Sequence, residues 1–250
     1  MRGGNIFIIS APSGSGKSTL TNEVRRVVPN LEFSISYTTR PPRGSEQSGR
    51  EYFFVSREEF ERMLAEDEFL EYAEVFGNYY GTAKRFLREA TARGHDLLLD
   101  IDVQGAAQVK RKVPAALSVF ILPPSRQELE RRLRRRAEAD DDLQRKLLGD
   151  GARPFNTEDI IQRRLQTATR EIENFSQYDY ILVNDRLEQS IDVLKSIVEA
   201  ERLKGSAAAV TAKDEAMLAI ARGALRTQML HQVQTILATF DLSRLPIVTE

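Results

Sequence analysis

Short apolar runs alternate with longer amphipathic stretches along most of this chain. The runs are rich in Val, Ile, Leu and Phe and have the length of buried strands, while the stretches repeat apolar residues at helical intervals. Predicted strands are residues 5–10, 96–102, 117–122 and 180–183; predicted helices are residues 19–28, 83–93, 103–111, 126–136, 157–175 and 187–203. Because strands and helices alternate, the sequence predicts an α/β fold with a parallel sheet and helices on both faces.

A different pattern interrupts this alternation after the first helix. Residues 31–39 alternate as a half-exposed strand does, and the proline-rich turn at 40–44 ends it, because proline has no N–H to donate. Further strands are predicted at 51–55 and 69–76, a charged helix at 57–67, and a turn that presents tyrosine hydroxyls at 77–82. We therefore expect a mixed α and β insertion.

Two later segments do not fit the core pattern. Residues 137–154 are polar and contain glycine, which is typical of a long loop that serves as a lid or is disordered. After a linker at 206–210, residues 214–239 predict one amphipathic helix whose apolar stripe must be buried. The stripe packs on the main domain or pairs with a second chain as a homo-oligomer, and both interpretations remain open.

Composition narrows the class of protein. The 250 residues are 41% hydrophobic and 29% charged, which is ordinary for a globular protein, and the net charge of -1 gives no indication of nucleic-acid binding. With no cysteine the chain has no disulfide or thiolate metal site. No signal peptide and no membrane span are predicted, so we expect a cytoplasmic protein.

The chemistry centres on residues 10–18, which lie between the first strand and the first helix. Gly14 and Gly16 allow backbone N–H groups to surround a phosphate at a helix N-terminus. Lys17 can reach the terminal phosphates, and the Ser18 hydroxyl can coordinate magnesium. The match to the phosphate-loop pattern G-x-x-x-x-G-K-[ST] has one exception, Ala11 in place of the first glycine. The loop predicts a nucleoside triphosphate ligand.

Three charged groups have two interpretations each. Arg40 and Arg43 are solvated turn charges, or they form an anion clamp on a rigid turn. Asp100 and Asp102 cap the next helix, or they lie in the crevice at the carboxyl ends of parallel strands. The arginine cluster at 131–136 complements the helix dipole, or it covers a triphosphate.

The order of these parts resembles guanylate kinase, a nucleoside monophosphate kinase of the phosphate-loop NTPases. Five stretches between residues 5 and 204 carry the resemblance: Ser10–Ser18, Ser36–Arg43, Gly77–Thr82, Asp100–Asp102 with Gln104 and Gly105, and Asn184–Asp185. The resemblance implies a core of residues 1–32, 94–135 and 158–204, a GMP-binding subdomain of 33–93, a lid of 136–157 and an extra C-terminal extension of 205–250. It also implies transfer of the γ-phosphoryl group of ATP to GMP or dGMP.

The resemblance also implies roles for individual residues. The residues implied to bind ATP are Ala11, Pro12, Ser13, Gly14, Ser15, Gly16, Lys17, Ser18, Thr19 and Asn184, the last of which would lie near the adenine. The residues implied to bind the GMP phosphate are Arg40, Arg43, Tyr52 and Tyr80, with Glu46 nearby. Those implied to bind guanine are Ser36, Glu71, Thr82 and Asp102. Catalytic residues would be Lys17, Arg43, Asp100, Arg132, Arg136 and Arg164, with Mg²⁺ held by Ser18 and Asp100. Since a phosphate oxygen is ionised at neutral pH, catalysis needs alignment and charge neutralisation rather than a strong base.

Two features depart from the family pattern, the long acidic lid loop and the segment after Gly205. Neither removes a residue that has been given a role. Three other functions compete with this interpretation: a module that binds phosphorylated peptides without catalysis, a kinase for another monophosphate, and a nucleotide-dependent switch, which has no need of a second phosphate clamp. The intact Gly14, Gly16, Lys17 and Ser18 argue against the first, and a carboxylate at Glu71, which can accept both guanine N–H groups, argues against the second.

Overall fold

The computed structural model describes residues 4–75, 77–148, 157–206 and 209–243. Its contacts group the chain into two compact units. The first unit takes its described residues from 1–10, 21–119 and 198–209, and the second from 11–20, 120–197 and 210–250.

The described residues form both strands and helices. The strands are β1 (Ile6–Ser10), β2 (Leu31–Ser34), β3 (Tyr37–Thr38), β4 (Phe53–Phe54), β5 (Phe69–Val75), β6 (Asn78–Ala83), β7 (Asp96–Asp100), β8 (Leu117–Leu122) and β9 (Tyr180–Val183). The helices are α1 (Lys17–Val27), α2 (Arg57–Ala65), α3 (Lys84–Arg93), α4 (Val103–Lys112), α5 (Arg126–Leu148), α6 (Thr157–Ile172), α7 (Leu187–Lys204), α8 (Ala212–Gly223) and α9 (Arg226–Thr239). A 3₁₀ helix spans Glu173–Gln177.

The apolar runs form a parallel five-stranded sheet with the order β2-β7-β1-β8-β9. Ile6 lies opposite Leu97, and Leu31 lies opposite Asp96. Every residue of β1 is buried, as expected for a central strand with both faces covered. The predicted α/β fold with a parallel sheet is confirmed.

A second sheet of four strands, in the order β4-β3-β6-β5, lies within the first unit. Its β3 is parallel to β4 and antiparallel to β6, and β5 and β6 pair antiparallel. Phe60 of α2 stacks on Phe69 with ring centroids 4.4 Å apart and on Tyr79 at 5.2 Å. The region between β2 and β7 is the mixed α and β insertion that the sequence predicts.

Two details of the insertion differ from the prediction. The single strand expected at 31–39 is two strands in different sheets, because β2 pairs with β7 whereas β3 pairs with β4 and β6. The turn expected at 77–82 is mostly β6, since its backbone pairs with β3 and β5. The period-two pattern does not say which sheet a strand joins.

The long loop predicted at 137–154 is helical as far as Leu148, the end of α5. Residues 137–148 contain neither glycine nor proline and are rich in Ala, Glu, Leu, Gln, Arg and Lys, which favour helices. The remainder of the predicted loop, and residues 149–156 of the predicted lid, lie outside the described residues.

The extension forms two helices rather than the single helix predicted at 214–239. Between them Ala224 O accepts from Ile181 N at 2.9 Å, and Arg226 N donates to Asp179 O at 3.0 Å. The helix breaks because this backbone pairs with β9, the last strand in the sheet order. Val233, Ile236 and Leu237 of α9 are buried within the chain, so the stripe packs on the second unit itself.

Among the helices that the structure describes, none has the length and apolar character needed to span a membrane.

Candidate active site

The loop that leads into α1 depends on two glycines. Gly14 and Gly16 have φ of +92° and +85°, where side chains other than glycine are strained. A Cβ at Gly14 would lie 2.9 Å from Leu133 Cδ2, and one at Gly16 would lie 2.5 Å from Asn184 Nδ2. Positive φ and close contact therefore both require glycine here.

Two side chains of the second unit hold the carbonyl oxygen of Ser15. Asn184 Nδ2 donates to it at 2.7 Å and Arg132 NH1 at 3.5 Å. Arg132 NH2 also donates to the Asn184 carbonyl at 3.0 Å. Since Asn184 is only 6% exposed, its amide is a buried support of the loop. Sequence reasoning did not foresee this contact, and the adenine contact implied for Asn184 stays a prediction.

Glu128 orients Arg132 toward this loop. Arg132 Nε and Arg131 Nε each donate to the Glu128 carboxylate at 2.7 Å. These hydrogen bonds, that of Arg131 first, lower the pKa of Glu128 to about 2. Glu128 is therefore ionised at neutral pH and holds the Arg132 guanidinium in place.

The other predicted donor-side residues also belong to the second unit. Lys17 is half-buried in the first turn of α1, and Ser18 beside it is exposed. Arg136 is exposed on α5, and Arg164 is half-buried on α6. Their roles toward a triphosphate stay predictions.

In the first unit, Arg40 forms the buried centre of the predicted phosphate clamp. It is 7% exposed and makes two hydrogen bonds to the Glu46 carboxylate, at 3.0 and 3.1 Å. Burial alone would lower the pKa of Arg40, but hydrogen bonds with Glu46 and Tyr80 raise it. The Arg43 N–H donates to Glu46 at 2.8 Å, so one carboxylate fixes both the guanidinium and the turn.

Aromatic rings surround the Arg40 guanidinium. Its Cζ lies 5.4 Å from the Tyr52 ring centroid and 5.6 Å from that of Phe54, within the range of cation–π attraction. The Tyr52 and Tyr80 rings meet edge to face at 5.9 Å. Burial, with a smaller contribution from the charge of Asp100, raises the pKa of Tyr52 to about 12. Its hydroxyl is therefore a hydrogen-bond donor at physiological pH. The Arg43 side chain is exposed.

Two of the predicted guanine-reading residues, Thr82 and Asp102, lie near the buried carboxyl group of a third, Glu71. Glu71 on β5 is 4% exposed and lies opposite Thr82 of β6. The pKa of Glu71 is raised to about 7: burial is the main cause, the charge of Asp102 adds to the rise, and Thr82 and Lys112 oppose it. Although Thr82 Oγ1 lies near Glu71, this buried hydroxyl makes no hydrogen bond of normal geometry in the described part of the chain.

The acidic end of β7 leads into the same region. Asp102 caps α4 by accepting from Gly105 N at 2.8 Å, so the capping interpretation holds for this residue. Asp100 is half-buried, and its charge acts on Tyr52. Ser36 is half-buried beside β3, and its carbonyl accepts from Phe53 N. The acceptor-side residues thus all belong to the first unit.

Two polar residues on α4 that sequence reasoning missed contact the strand that carries Glu71. Gln108 and Lys112 make hydrogen bonds to the main chain of β5. The only signal in the sequence is their helical spacing from Gly105, a pattern that solvent-facing residues also show.

Comparison with known proteins decides the family. The guanylate kinase family model matches residues 3–152, more than half of the chain. The chain belongs to the guanylate kinase family.

Curated guanylate kinases match the chain over most of its length. That of Koribacter versatilis (strain Ellin345) is 59% identical over 237 residues, or 95% of this chain and 96% of the relative. That of Escherichia coli (strain K12) is 43% identical over 208 residues, or 82% and 92%. Among solved structures, a guanylate kinase from Anaplasma phagocytophilum has a TM-score of 0.63 and 33% identity over 81% of this chain and 88% of that chain. The resemblance stated from the motifs, and with it the enzyme class of nucleoside monophosphate kinase, is confirmed.

The coverage of these matches bears on the C-terminal extension. A match over 95% of the chain must include most of residues 205–250. A match over 82% need not include them. The extension is therefore shared with at least one relative and is not confined to this chain.

Proposed function

We propose that this chain transfers the γ-phosphoryl group of ATP to GMP or dGMP, giving ADP and GDP or dGDP. The observation that carries the proposal is the acceptor site of the first unit, which joins a buried, oriented Arg40 to a buried carboxyl at Glu71. An arginine fork with two phenols suits a phosphate, and a carboxylate suits the adjacent N–H donors of guanine. Adenine lacks that pair of donors.

Electrostatics support the phosphate half of the site. The raised pKa values of Arg40 and Tyr52 keep a cation and a hydroxyl donor in place across the physiological range. Because Glu46 holds the Arg40 side chain in place before the substrate binds, binding costs less side-chain conformational entropy. We propose that Arg43, exposed on the same turn, completes the clamp.

Unsatisfied groups support the base half. The Thr82 hydroxyl is buried beside Glu71 and makes no hydrogen bond of normal geometry in the described part of the chain, so it can bond to an incoming base. N–H donors of the base stabilise the ionised form of Glu71, which burial disfavours. We propose that Ser36 and Asp102 complete this set.

On the donor side we propose that residues 11–19 bind the ATP phosphates and that Lys17, Arg132, Arg136 and Arg164 neutralise the transferring group. Arg132 and Asn184 have a second role, since they hold the Ser15 carbonyl and so keep the loop in shape. The acceptor is an ionised phosphate oxygen, so this chain has to align two phosphates and balance their charge.

Mg²⁺ fits the oxygen groups that the chain offers. Ser18 has an exposed hydroxyl, and Asp100 has a half-buried carboxylate, and both are ligand types that Mg²⁺ prefers. We propose that these two residues hold the ion, which supplies positive charge to the polyphosphate when it is bound. A cytoplasmic location, where ATP and GMP occur together, completes the proposal.

A coupled assay of ADP release tests the function. ATP is supplied with GMP, dGMP, AMP, UMP or CMP, with and without Mg²⁺. We expect turnover with GMP and dGMP at least about a hundredfold above that with AMP, because a site built to accept two N–H donors leaves its own groups unpaired with adenine. Equal turnover of GMP and AMP, or none with any monophosphate, would contradict the proposal.

A further inference from the structure

One face of α4 lies against the edge of β5. Gly105, Gln108 and Lys112 follow at intervals of three and four residues, which puts them on the same side of the helix. Gln108 Nε2 donates to Tyr72 O at 2.6 Å, and Tyr72 N donates to Gln108 Oε1 at 3.3 Å. Lys112 Nζ donates to Leu70 O at 2.6 Å. We call Gly105, Gln108 and Lys112 the α4 latch.

The latch covers the open edge of a strand. Since β5 comes last in the order β4-β3-β6-β5, no strand among the described residues pairs with its outer backbone groups. Unpaired edge groups are normally covered by a strand, by water or by side chains. Here side chains cover the edge: the Lys112 ammonium group bonds to the residue before Glu71, and the Gln108 amide bonds to the residue after it. The main chain on both sides of this carboxylate is therefore fixed to α4.

Gly105 provides the space that the carboxylate occupies. A Cβ built on it would overlap Glu71 Oε2 and lie 3.0 Å from Glu71 Cδ and 3.4 Å from Asp102 Oδ1. The helix itself does not require glycine, because Gly105 has no positive φ and alanine is the better helix former. The absence of a side chain thus serves the position of Glu71 rather than the fold of α4.

We propose that the α4 latch sets the position of the Glu71 carboxylate and thereby the selectivity for guanine over adenine. The inference rests on the proposed role of Glu71 as the guanine reader, and it adds three positioning residues that act through Glu71. A carboxylate that accepts two N–H groups at once must be aligned with both, so a small shift of β5 weakens both hydrogen bonds.

The test measures KM and kcat for GMP, AMP and ATP in the full chain and its variants. For Gln108→Ala and Lys112→Met we expect the GMP KM to rise about five- to tenfold each, the effect of losing one or two hydrogen bonds. For Gly105→Ala we expect a rise of at least about tenfold, because the added methyl group displaces the Glu71 carboxylate. The kcat at saturating GMP and the ATP KM stay within about twofold in all three.

Two matched variants isolate the latch. Lys112→Arg keeps the charge and the donor and restores the wild-type GMP KM. Arg111→Met removes an equal charge from the residue before Lys112, which lies on a different side of the helix, and we expect it to leave the GMP KM unchanged.

The pH profile provides a readout that a purely structural role would not move. The groups that face Glu71 are Asp102, which raises its pKa, and Lys112 and Thr82, which lower it. Loss of the Lys112 charge therefore shifts the fall in GMP affinity to higher pH in Lys112→Met and not in Arg111→Met.

The outcomes separate this inference from the proposed function. If Glu71→Gln lowers GMP selectivity but the latch variants keep the wild-type ratio of kcat/KM for GMP to kcat/KM for AMP, the proposal that the latch positions Glu71 is wrong. It is equally wrong if the ATP KM rises as much as the GMP KM, since that indicates general loss of structure. If Glu71→Gln leaves GMP kinetics unchanged, the proposed reading of guanine fails first. Gln108 is half-buried and Lys112 exposed, so these two variants decide the matter even if Gly105→Ala fails to fold.

Discussion

At the scale of residues, the protonation of Glu71 links pH to substrate binding. Burial of the carboxyl group places its pKa at about 7, against 4.5 for the exposed group. Keeping it ionised above pH 7 costs the folded protein about 3 kcal/mol, because one pKa unit corresponds to about 1.4 kcal/mol. This destabilisation of the folded protein is absent below the pKa that Glu71 has in the unfolded chain, and it is complete above the pKa that it has in the folded protein. Guanine N–H donors stabilise the ionised form and offset the cost.

We therefore predict that the GMP KM rises as pH falls. Below the pKa of about 7 the free protein holds a protonated Glu71, which must lose its proton before it can accept from guanine. The KM should approach a tenfold rise per pH unit well below that value. Initial rates with saturating ATP between about pH 5.5 and pH 8.5 measure the effect.

Glu71→Gln is the control for this pH dependence. GMP carries its own phosphate ionisation near pH 6, which acts equally on the wild type and the variant. The difference between the two profiles therefore belongs to Glu71. Parallel profiles would contradict the assignment of the group.

At the scale of elements, the C-terminal extension covers a sheet edge and supports the helix that carries Arg132. The α8–α9 junction pairs with β9, and Thr239 Oγ1 accepts from Arg126 N, in the first turn of α5, at 3.0 Å. An exposed strand edge is a site for pairing with other chains. The extension therefore protects β9 and caps α5 at the same time.

We predict that the buried stripe of this extension contributes to the stability of the monomer. Ile236 is 3% exposed and Ile220 is 43% exposed, so the two residues form a matched pair. Ile236→Ala should lower the free energy of unfolding by about 2–4 kcal/mol, through lost burial and a cavity. Ile220→Ala should change it by less than about 0.5 kcal/mol.

Urea denaturation at two protein concentrations measures both variants. Equal losses in the two variants would contradict the packing seen here. A loss in Ile220→Ala that depends on protein concentration would indicate that a second chain covers that face.

At the scale of the whole molecule, two polyanions must be brought together by a chain whose net charge is only -1. Neutralisation therefore depends on where the cations lie, since overall charge contributes little. Lys17, Arg132, Arg136 and Arg164 belong to one compact unit, and Arg40 and Arg43 belong to the other. Each unit thus carries the cations proposed for one substrate.

We predict that the chain becomes more compact when both nucleotides are bound. The proposed GMP-binding region (33–93) and lid (136–157) must close so that water is excluded and like charges are screened. Small-angle scattering with GMP and a non-hydrolysable ATP analogue should give a smaller radius of gyration than either ligand alone. Superimposable curves in all states would rule out closure.

The sequence by itself determined the elements whose signals are local. β8 and β9 have the predicted bounds, because a continuous apolar run with clear ends leaves little choice. The glycines of the phosphate loop were also found, because the motif is a short run of specialised residues. The roles of the individual site residues came from the family resemblance of short motifs, and they stay predictions.

Only the tertiary structure decided the features that depend on distant partners. The split of residues 31–39 into two sheets, the break between α8 and α9, the support of Ser15 by Asn184 and the hold of α4 on β5 each need a hydrogen bond to a remote segment. The periodicity of a segment records which of its sides is apolar, but it does not record which backbone groups remain to be paired. That pairing is settled by the neighbour that folding brings into contact, and here it positions the carboxylate of Glu71.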